Sequence, residues 1–304
     1  MNLEIRGITK SFGAKQVLKS LNFQAQSGKA LGLLGRNGAG KTTTIRIIMG
    51  VFPPDGGEVL IDGRPIRRDD VNIGYLPEEH GLYLKKEIQE QLVYLGELRG
   101  MSAKSARASI GKWLERLGMS EYLNCRLDTL SKGNQQKIQL AAALITDPDI
   151  VILDEPFSGL DPVNAIILKD VIRELIGNGK LVLFSSHQMN YVEEFCDSIA
   201  ILNQGKIVLS GNIREIKRSY DRSKIVTVSD QAEQIAGYCR ENLTEFVESA
   251  QAGDNGETII KMKSAEPRNR LISALAQQGF ALDGIRVWEP SLNDIFVQYT
   301  EEAV

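Results

Sequence analysis

The chain has 304 residues, enough for about two domains at ~150 residues each and long enough to bury a core without disulfides or metals. Its 36 Lys+Arg against 39 Asp+Glu leave a net charge of -3, which argues against a dedicated nucleic-acid binder. No apolar run reaches the ~18 residues of a membrane span, the start Met-Asn-Leu-Glu-Ile-Arg lacks a secretory profile, and Cys125, Cys196 and Cys239 form no C-x-x-C pair, so a reduced, cytoplasmic setting is expected.

In chain order, Ala30–Leu34 reads as a buried strand leading through a glycine-rich turn into a helix over Lys41–Met49. Glu58–Asp62 follows the turn Asp55-Gly56-Gly57 and reads as a strand. Residues 86–146 carry helical patterns and no good strand pattern, which predicts an inserted helical subdomain. Ile150–Leu153 and Leu181–Phe184 are short continuous apolar runs, as strands buried on both faces of a parallel sheet should be. Pro162–Ile176 between them reads as the crossover helix. Ile199–Leu202 and Lys206–Leu209 flank Asn203-Gln204-Gly205, a hairpin signal.

The charge then changes. Residues 1–219 carry a net +3 and residues 220–304 a net -6. With the polar run Lys217–Lys224, that shift sets a domain boundary near residue 220. Beyond it the segments Lys224–Ser229, Gln231–Arg240, Leu243–Ala250, Thr258–Lys263, Pro267–Gln278 and Ala281–Trp288 read strand, helix, strand, strand, helix, strand. That is the βαββαβ order of a ferredoxin-like α+β domain. A last helix over Ser291–Thr300 opens on the capping box Ser291-Leu292-Asn293-Asp294.

Gly35-Arg36-Asn37-Gly38-Ala39-Gly40-Lys41-Thr42 matches G-x-x-x-x-G-K-[ST], between a strand and a helix as that motif requires. Glycines let successive N–H groups wrap a phosphate, and the helix N-terminus adds its dipole. The candidate nucleotide ligands are Gly35, Asn37, Gly38, Ala39, Gly40, Lys41, Thr42 and Thr43. Lys41 can reach the β- and γ-phosphates, and the Thr42 hydroxyl can ligate Mg²⁺.

Asp149-Ile150-Val151-Ile152-Leu153-Asp154-Glu155 is an apolar strand ending in two carboxylates. In a phosphate-loop fold an Asp there holds Mg²⁺, and an adjacent Glu can act as general base on the attacking water. Ser185-Ser186-His187 ends the next strand, where a histidine can hydrogen-bond a γ-phosphate or that water.

Together these residues resemble the nucleotide-binding subunit of ATP-binding cassette (ABC) transporters. Leu130-Ser131-Lys132-Gly133-Asn134-Gln135-Gln136-Lys137 looks like that family's signature, and Ser158-Gly159-Leu160-Asp161 like its D-loop. The likeness covers roughly residues 1–215. It implies an α/β fold, a phosphate-loop NTPase cassette with an inserted helical subdomain, followed here by the small C-terminal domain. It implies that Phe12 stacks on adenine, that Ser131 and Gly133 face the γ-phosphate, and that His187 is the switch histidine. It also puts Glu78 where the family has a glutamine that senses Mg²⁺. Lys132 and Asn134 depart from the usual Gly and Gln. More narrowly, the stretch Ile73–Tyr83, which includes His80, and the Lys132-Gly133-Asn134 variant resemble bacterial sodium-efflux ATPases. Those also carry a C-terminal extension.

The resemblance implies ATP and Mg²⁺ as cofactors, with Lys41, Glu155 and His187 catalytic and Thr42, Asp154 and Glu78 at the metal. It implies head-to-tail dimerisation, most simply as a homodimer. It implies a multi-span membrane permease as partner, no nucleic acid, and a peripheral place on the inner face of the cell membrane. The alternative reading is a soluble ABC ATPase not coupled to transport.

Overall fold

The computed structural model describes residues 1–66, 71–79, 81–265 and 267–301, so His80 lies outside the described residues. The chain forms two compact units. One is Met1–Ile213 with the end of the last helix from Phe296, and the other is Arg214–Ile295. The charge shift in the sequence predicts a division at 219/220, with the whole last helix in the second part.

In the first unit, β1 (Asn2–Phe12) and β2 (Lys15–Gln26) pair antiparallel. Next come β3 (Ala30–Leu34), α1 (Lys41–Ile48), β4 (Gly56–Ile61), β5 (Arg64–Pro65) and β6 (Ile73–Leu76). Three helices follow, α2 (Ile88–Leu98), α3 (Ala103–Arg116) and α4 (Lys132–Leu144). The unit continues through β7 (Ile150–Asp154), α5 (Pro162–Gly177), β8 (Leu181–Ser185), α6 (Met189–Phe195), β9 (Ser198–Asn203) and β10 (Lys206–Asn212).

Two sheets result. One has the order β2-β1-β4-β5 and the other β10-β9-β3-β8-β7-β6. The six-stranded sheet is parallel from β9 to β6 and carries β10 as an antiparallel edge. Every residue of β3, β7 and β8 is buried, which is why their sequences read as unbroken apolar runs. One apolar cluster joins the sheets, with Leu3, Ile5, Leu21 and Phe23 packed with Leu31, Leu33, Ile150 and Leu183.

The order β3-β8-β7 decides where the site lies. These neighbours are parallel, so their carboxyl ends emerge side by side. Open α/β sheets bind ligands outside that edge. Here it delivers the glycine loop after β3, Asp154 and Glu155 at the end of β7 and Ser186-His187 after β8.

The second unit contains α7 (Ile213–Arg218, counted from Arg214), β11 (Lys224–Val228), α8 (Ala232–Asn242), β12 (Val247–Ala252), β13 (Glu257–Met262), α9 (Arg268–Gln277) and β14 (Gly284–Val287). The sheet is antiparallel with order β12-β13-β11-β14, the ferredoxin-like arrangement the segment order predicts. Its own core packs Ile235, Cys239, Leu271 and Leu275 of the helices against Ile225 and Ile260 of the sheet. The last helix, α10 (Leu292–Glu301), is capped by Ser291, whose Oγ accepts from Asp294 N at 3.1 Å.

Candidate nucleotide-binding site

The glycine loop is built against the β9–β10 hairpin. A β-carbon on Gly35 would lie 2.5 Å from the Leu202 carbonyl oxygen, a backbone atom that cannot step aside. Gly40 has φ 116 and its hypothetical β-carbon would meet Leu18 Cδ2 at 2.6 Å. Both positions therefore demand glycine. The Gly205 N–H donates to the Ala39 carbonyl at 3.2 Å and ties the loop to the hairpin. The end of α10 adds two more ties. Asn203 Nδ2 donates to the Tyr299 carbonyl at 3.3 Å, and Arg36 pairs with Glu301 at 3.3 Å.

Lys41 is buried at the start of α1, and its Nζ donates to the Gly35 carbonyl at 2.7 Å. Thr42 is exposed and Thr43 half-buried, with Asn37 and Gly38 at the open crest of the loop. Phe12, half exposed at the end of β1, meets Phe52 edge-on at 5.6 Å, with the Lys10 ammonium 5.7 Å from its centroid.

Asp154 and Glu155 are both buried. Burial pushes the Asp154 carboxyl up, the charge of Glu155 adds to that, and the ammonium of Lys41 opposes it. Asp154 and Lys41 thus act on each other across the site. The Tyr75 hydroxyl, on β6, donates to Asp154 Oδ2 at 3.4 Å. Burial, followed by the charge of Asp154, pushes Tyr75 up to about 12, and Glu78 contributes in the same direction. Glu78 itself is exposed.

Glu155 has φ 49, which is rare for a side-chain-bearing residue and is held here by its surroundings. Its N–H donates to the Ser185 carbonyl at 2.8 Å. One carboxylate oxygen, Oε1, lies 2.8 Å from His187 Nδ1, and the other accepts from Ser186 Oγ at 3.0 Å. The Phe157 ring stacks on Tyr191 of α6 at 3.9 Å, which clasps the segment after Glu155 to the helix after His187. A carboxylate fixed in this way can take a proton from a water.

Ser131 caps α4, its side chain accepting from Asn134 N at 3.3 Å. The atoms nearest a β-carbon on Gly133 belong to Asn164 and Asp161, at the start of α5, not to the glycine loop. Gln136 Nε2 donates to the Pro156 carbonyl at 3.4 Å, linking α4 to the residue after Glu155. The structure therefore gathers Lys41, Asp154, Glu155 and His187 at one edge, and sets Ser131 and Gly133 beside α5. Ser186, Tyr75, Phe157 and Tyr191 were not legible as site residues in the sequence. Only the position of Ser186, next to His187, gave any signal.

A glycine loop entering a helix at the carboxyl edge of a parallel sheet, faced by a buried acidic strand end, defines a phosphate-loop nucleotide hydrolase. Comparison with known proteins narrows that class. The family model described as ABC transporter matches residues 18–158, and the one described as ATP-binding protein DrrA1-3-like, C-terminal domain, matches residues 211–300. The chain is 40% identical over 297 residues to the ABC transporter ATP-binding protein YhaQ of Bacillus subtilis (strain 168), covering 97% of each chain. It is 34% identical over 213 residues to the Nod factor export ATP-binding protein I of Burkholderia lata, covering 69% of this chain and 70% of that one. A solved ATP-binding subunit of an ABC transporter superposes with TM-score 0.66 at 30% identity, over 72% of this chain and 92% of its own. The chain belongs to the ATP-binding proteins of ABC transporters: it binds ATP and hydrolyses it as the nucleotide-binding subunit of a transporter. These relatives favour that reading over an ATPase uncoupled from transport. Among the described residues no helix is long and apolar enough to cross a membrane.

Proposed function

We propose that this subunit powers export by closing head-to-tail on a second copy when ATP binds. The glycine loop Gly35–Thr43 cradles the phosphates, with Lys41 on the β- and γ-groups and Phe12 against the adenine. Ser131 and Gly133 lie beside α5 and not on their own loop, so they suit the γ-phosphate held by the other copy. The Thr42 hydroxyl and the Asp154 carboxylate are hard oxygen donors that suit Mg²⁺, with Glu78 near enough to act on Tyr75 beside them. When bound, that ion neutralises charge on the phosphates. Glu155 takes the proton of the attacking water, and His187 steadies the developing phosphate charge.

The observation that carries this reading is the Glu155 carboxylate, buried beside Asp154 and held by His187 at 2.8 Å. The test is Glu155→Gln. It should bind ATP, hydrolyse it at least 100-fold more slowly, in line with the usual ~10²–10⁴ for a general base, and accumulate dimer on size-exclusion chromatography. Parent-like turnover would show that the base lies elsewhere.

The membrane partner is a multi-span permease, met at the cytoplasmic face of the cell membrane. Tyr83, Leu84, Tyr94 and Leu98 are exposed around α2, and a groove of about 500 Å³ there is lined by Tyr83 and Tyr94 with Lys86, Glu87, Glu90, Glu97 and Arg107. Such a surface, aromatic residues beside charges of both signs, suits an amphipathic helix of the permease. Tyr94→Asp should release the subunit from detergent-solubilised permease while its ATPase in isolation stays at the parent level.

Export is supported by the Nod factor export relative. The narrower likeness to sodium-efflux ATPases rests on Ile73–Tyr83, on Lys132-Gly133-Asn134 and on the C-terminal extension, residues 220–304. Sodium efflux from vesicles carrying the subunit and its permease would test it. Residues 220–304 form an accessory domain that stabilises the dimer or regulates turnover. Ile259 is exposed on β13, on the face away from the helices, and Ile259→Asp should lower dimer yield or alter ATPase rate.

A further inference from the structure

The two oxygens of the Glu155 carboxylate are not equivalent. Oε1 faces His187, whose side chain is 65% exposed. Oε2 faces Ser186, which is 1% exposed. A hydroxyl has one proton to give and two lone pairs to receive. Ser186 Oγ accepts from the Gln188 N–H at 3.1 Å, so its proton is directed away from that bond and towards Oε2. The serine is locked from both sides, while the histidine stands in the open.

Glu155 needs such a lock. Its φ of 49 places the side chain on a strained backbone that persists only where neighbours over-determine it. The Ser185 carbonyl holds the Glu155 N–H at 2.8 Å, and the next residue, Ser186, holds the far end of the same side chain. The end of β8 therefore fixes Glu155 at both its backbone and its carboxylate.

We propose that Ser186 is the positioning residue of the hydrolytic base. This rests on reading Glu155 as that base. With Oε2 committed to Ser186, the carboxylate plane is set and Oε1 is the oxygen that receives the proton. The water oxygen bonds to the γ-phosphorus, the bridging P–O bond breaks with its electron pair leaving on ADP, and the water's proton passes to Oε1. Without the Ser186 hydroxyl the carboxylate turns about its own axis and spends less time aligned with the water. Ground-state binding of ATP does not involve this bond.

The test compares Ser186→Ala, Ser186→Thr and Ser186→Cys with the parent protein, using Mg-ATP. Ser186→Ala should lower kcat by about 10- to 100-fold, the scale of a small misplacement at a reacting centre, with KM and ATP affinity within twofold. Ser186→Thr keeps the hydroxyl and should recover kcat to within about threefold of the parent, short of the 10- to 100-fold loss expected for Ser186→Ala. Ser186→Cys fills similar space with a weak donor and should fall between them, which keeps the test valid if the alanine variant folds poorly. The Gln188 amide should exchange with deuterium faster in Ser186→Ala than in Ser186→Thr, independently of turnover. Parent-like kcat in both Ser186→Ala and Ser186→Cys overturns the proposal, as does an equal loss in Ser186→Thr and Ser186→Ala. Glu155→Gln separates the two readings. If it still turns over, the base assignment fails; if it is inactive while Ser186→Ala is fully active, only the positioning role fails.

Discussion

Gly133 has no room for a side chain because Asn164 lies against it: a β-carbon there would sit 2.7 Å from Asn164 Nδ2. Asn164 cannot swing away freely, since that same nitrogen donates to Asp161 Oδ2 at 2.6 Å. Asp161 in turn caps α5, accepting from the N–H groups of Val163 and Asn164, and hydrogen bonds from Asn164 hold its carboxyl below the usual carboxylate range. The signature segment and the cap of α5 are thus one interlocked feature. Gly133→Ala should lower the melting temperature by a few degrees, as overpacking of about 1–3 kcal/mol outweighs the better helix propensity of alanine. With Asn164→Ala already present the sign should invert, and Gly133→Ala should then stabilise by up to about 1 kcal/mol. Thermal unfolding of the four proteins in this cycle measures both.

Gly35 is the position where the phosphate loop tolerates least. A β-carbon at 2.5 Å from the Leu202 carbonyl oxygen would push on the backbone of β9. Gly35→Ala should weaken ATP binding at least tenfold, as should Lys41→Ala, which removes the ammonium proposed to meet the phosphates. Equilibrium binding of a fluorescent ATP analogue reads both variants. Unchanged affinity in Lys41→Ala would contradict the loop assignment.

The two buried thiols predict a loss of stability in alkali. Burial pushes Cys239 up to about 11 from an ordinary value of 9.0, and pushes Cys196 higher still. The folded chain therefore keeps these protons at pH values where the unfolded chain has released them. Stability must fall as pH rises from about 9 towards 11, because the folded state binds more protons there. Denaturant midpoints across that range should decline more steeply in the parent than in a Cys196→Ala, Cys239→Ala double variant. At pH 8 a thiol reagent should find Cys125 first, which is half-buried while the other two are buried.

The second unit has a core of its own, so damage there should be read there. Ile235 is fully buried between α8 and the sheet. Ile235→Ala should cost about 2–5 kcal/mol, the usual range for such a truncation. Calorimetry should show a transition moved to lower temperature, and near-parent ATP affinity would confirm that the effect is confined to that unit.

Much of this architecture is legible in the sequence where one physical demand dominates. β3, β7 and β8 are buried on both faces, so they read as apolar runs. The glycine loop reads because only glycine fits at Gly35 and Gly40. The sheet β2-β1-β4-β5 is harder. The alternation of β1 and β2 breaks at Gly7 (φ 62), where the register slips between the Ile5 and Ile8 pairs, and at Ser20 (φ 63), where it slips between the Ile8 and Thr9 pairs, so a period-2 pattern is lost. β6 hides behind Gly74, which looks like a strand breaker. It is there because a β-carbon would come within 2.3 Å of the Ala143 carbonyl oxygen. Within the site, Ser186 and Tyr75 meet Glu155 and Asp154 across 31 and 79 residues of chain, and no local pattern reports such a meeting.

The chain leaves the first unit at Ile213 and rejoins it at Phe296. In topological terms the second unit is an insertion, tethered at both ends. A protease that cuts once near Ser219 would leave the fragments joined through α10, whose end is bonded to Asn203 and Arg36. Release would require a second cut or denaturation. A stop codon placed after the first unit would likewise remove more than the inserted unit, because it would take away the Tyr299 carbonyl and the Glu301 carboxylate that brace the phosphate loop from outside.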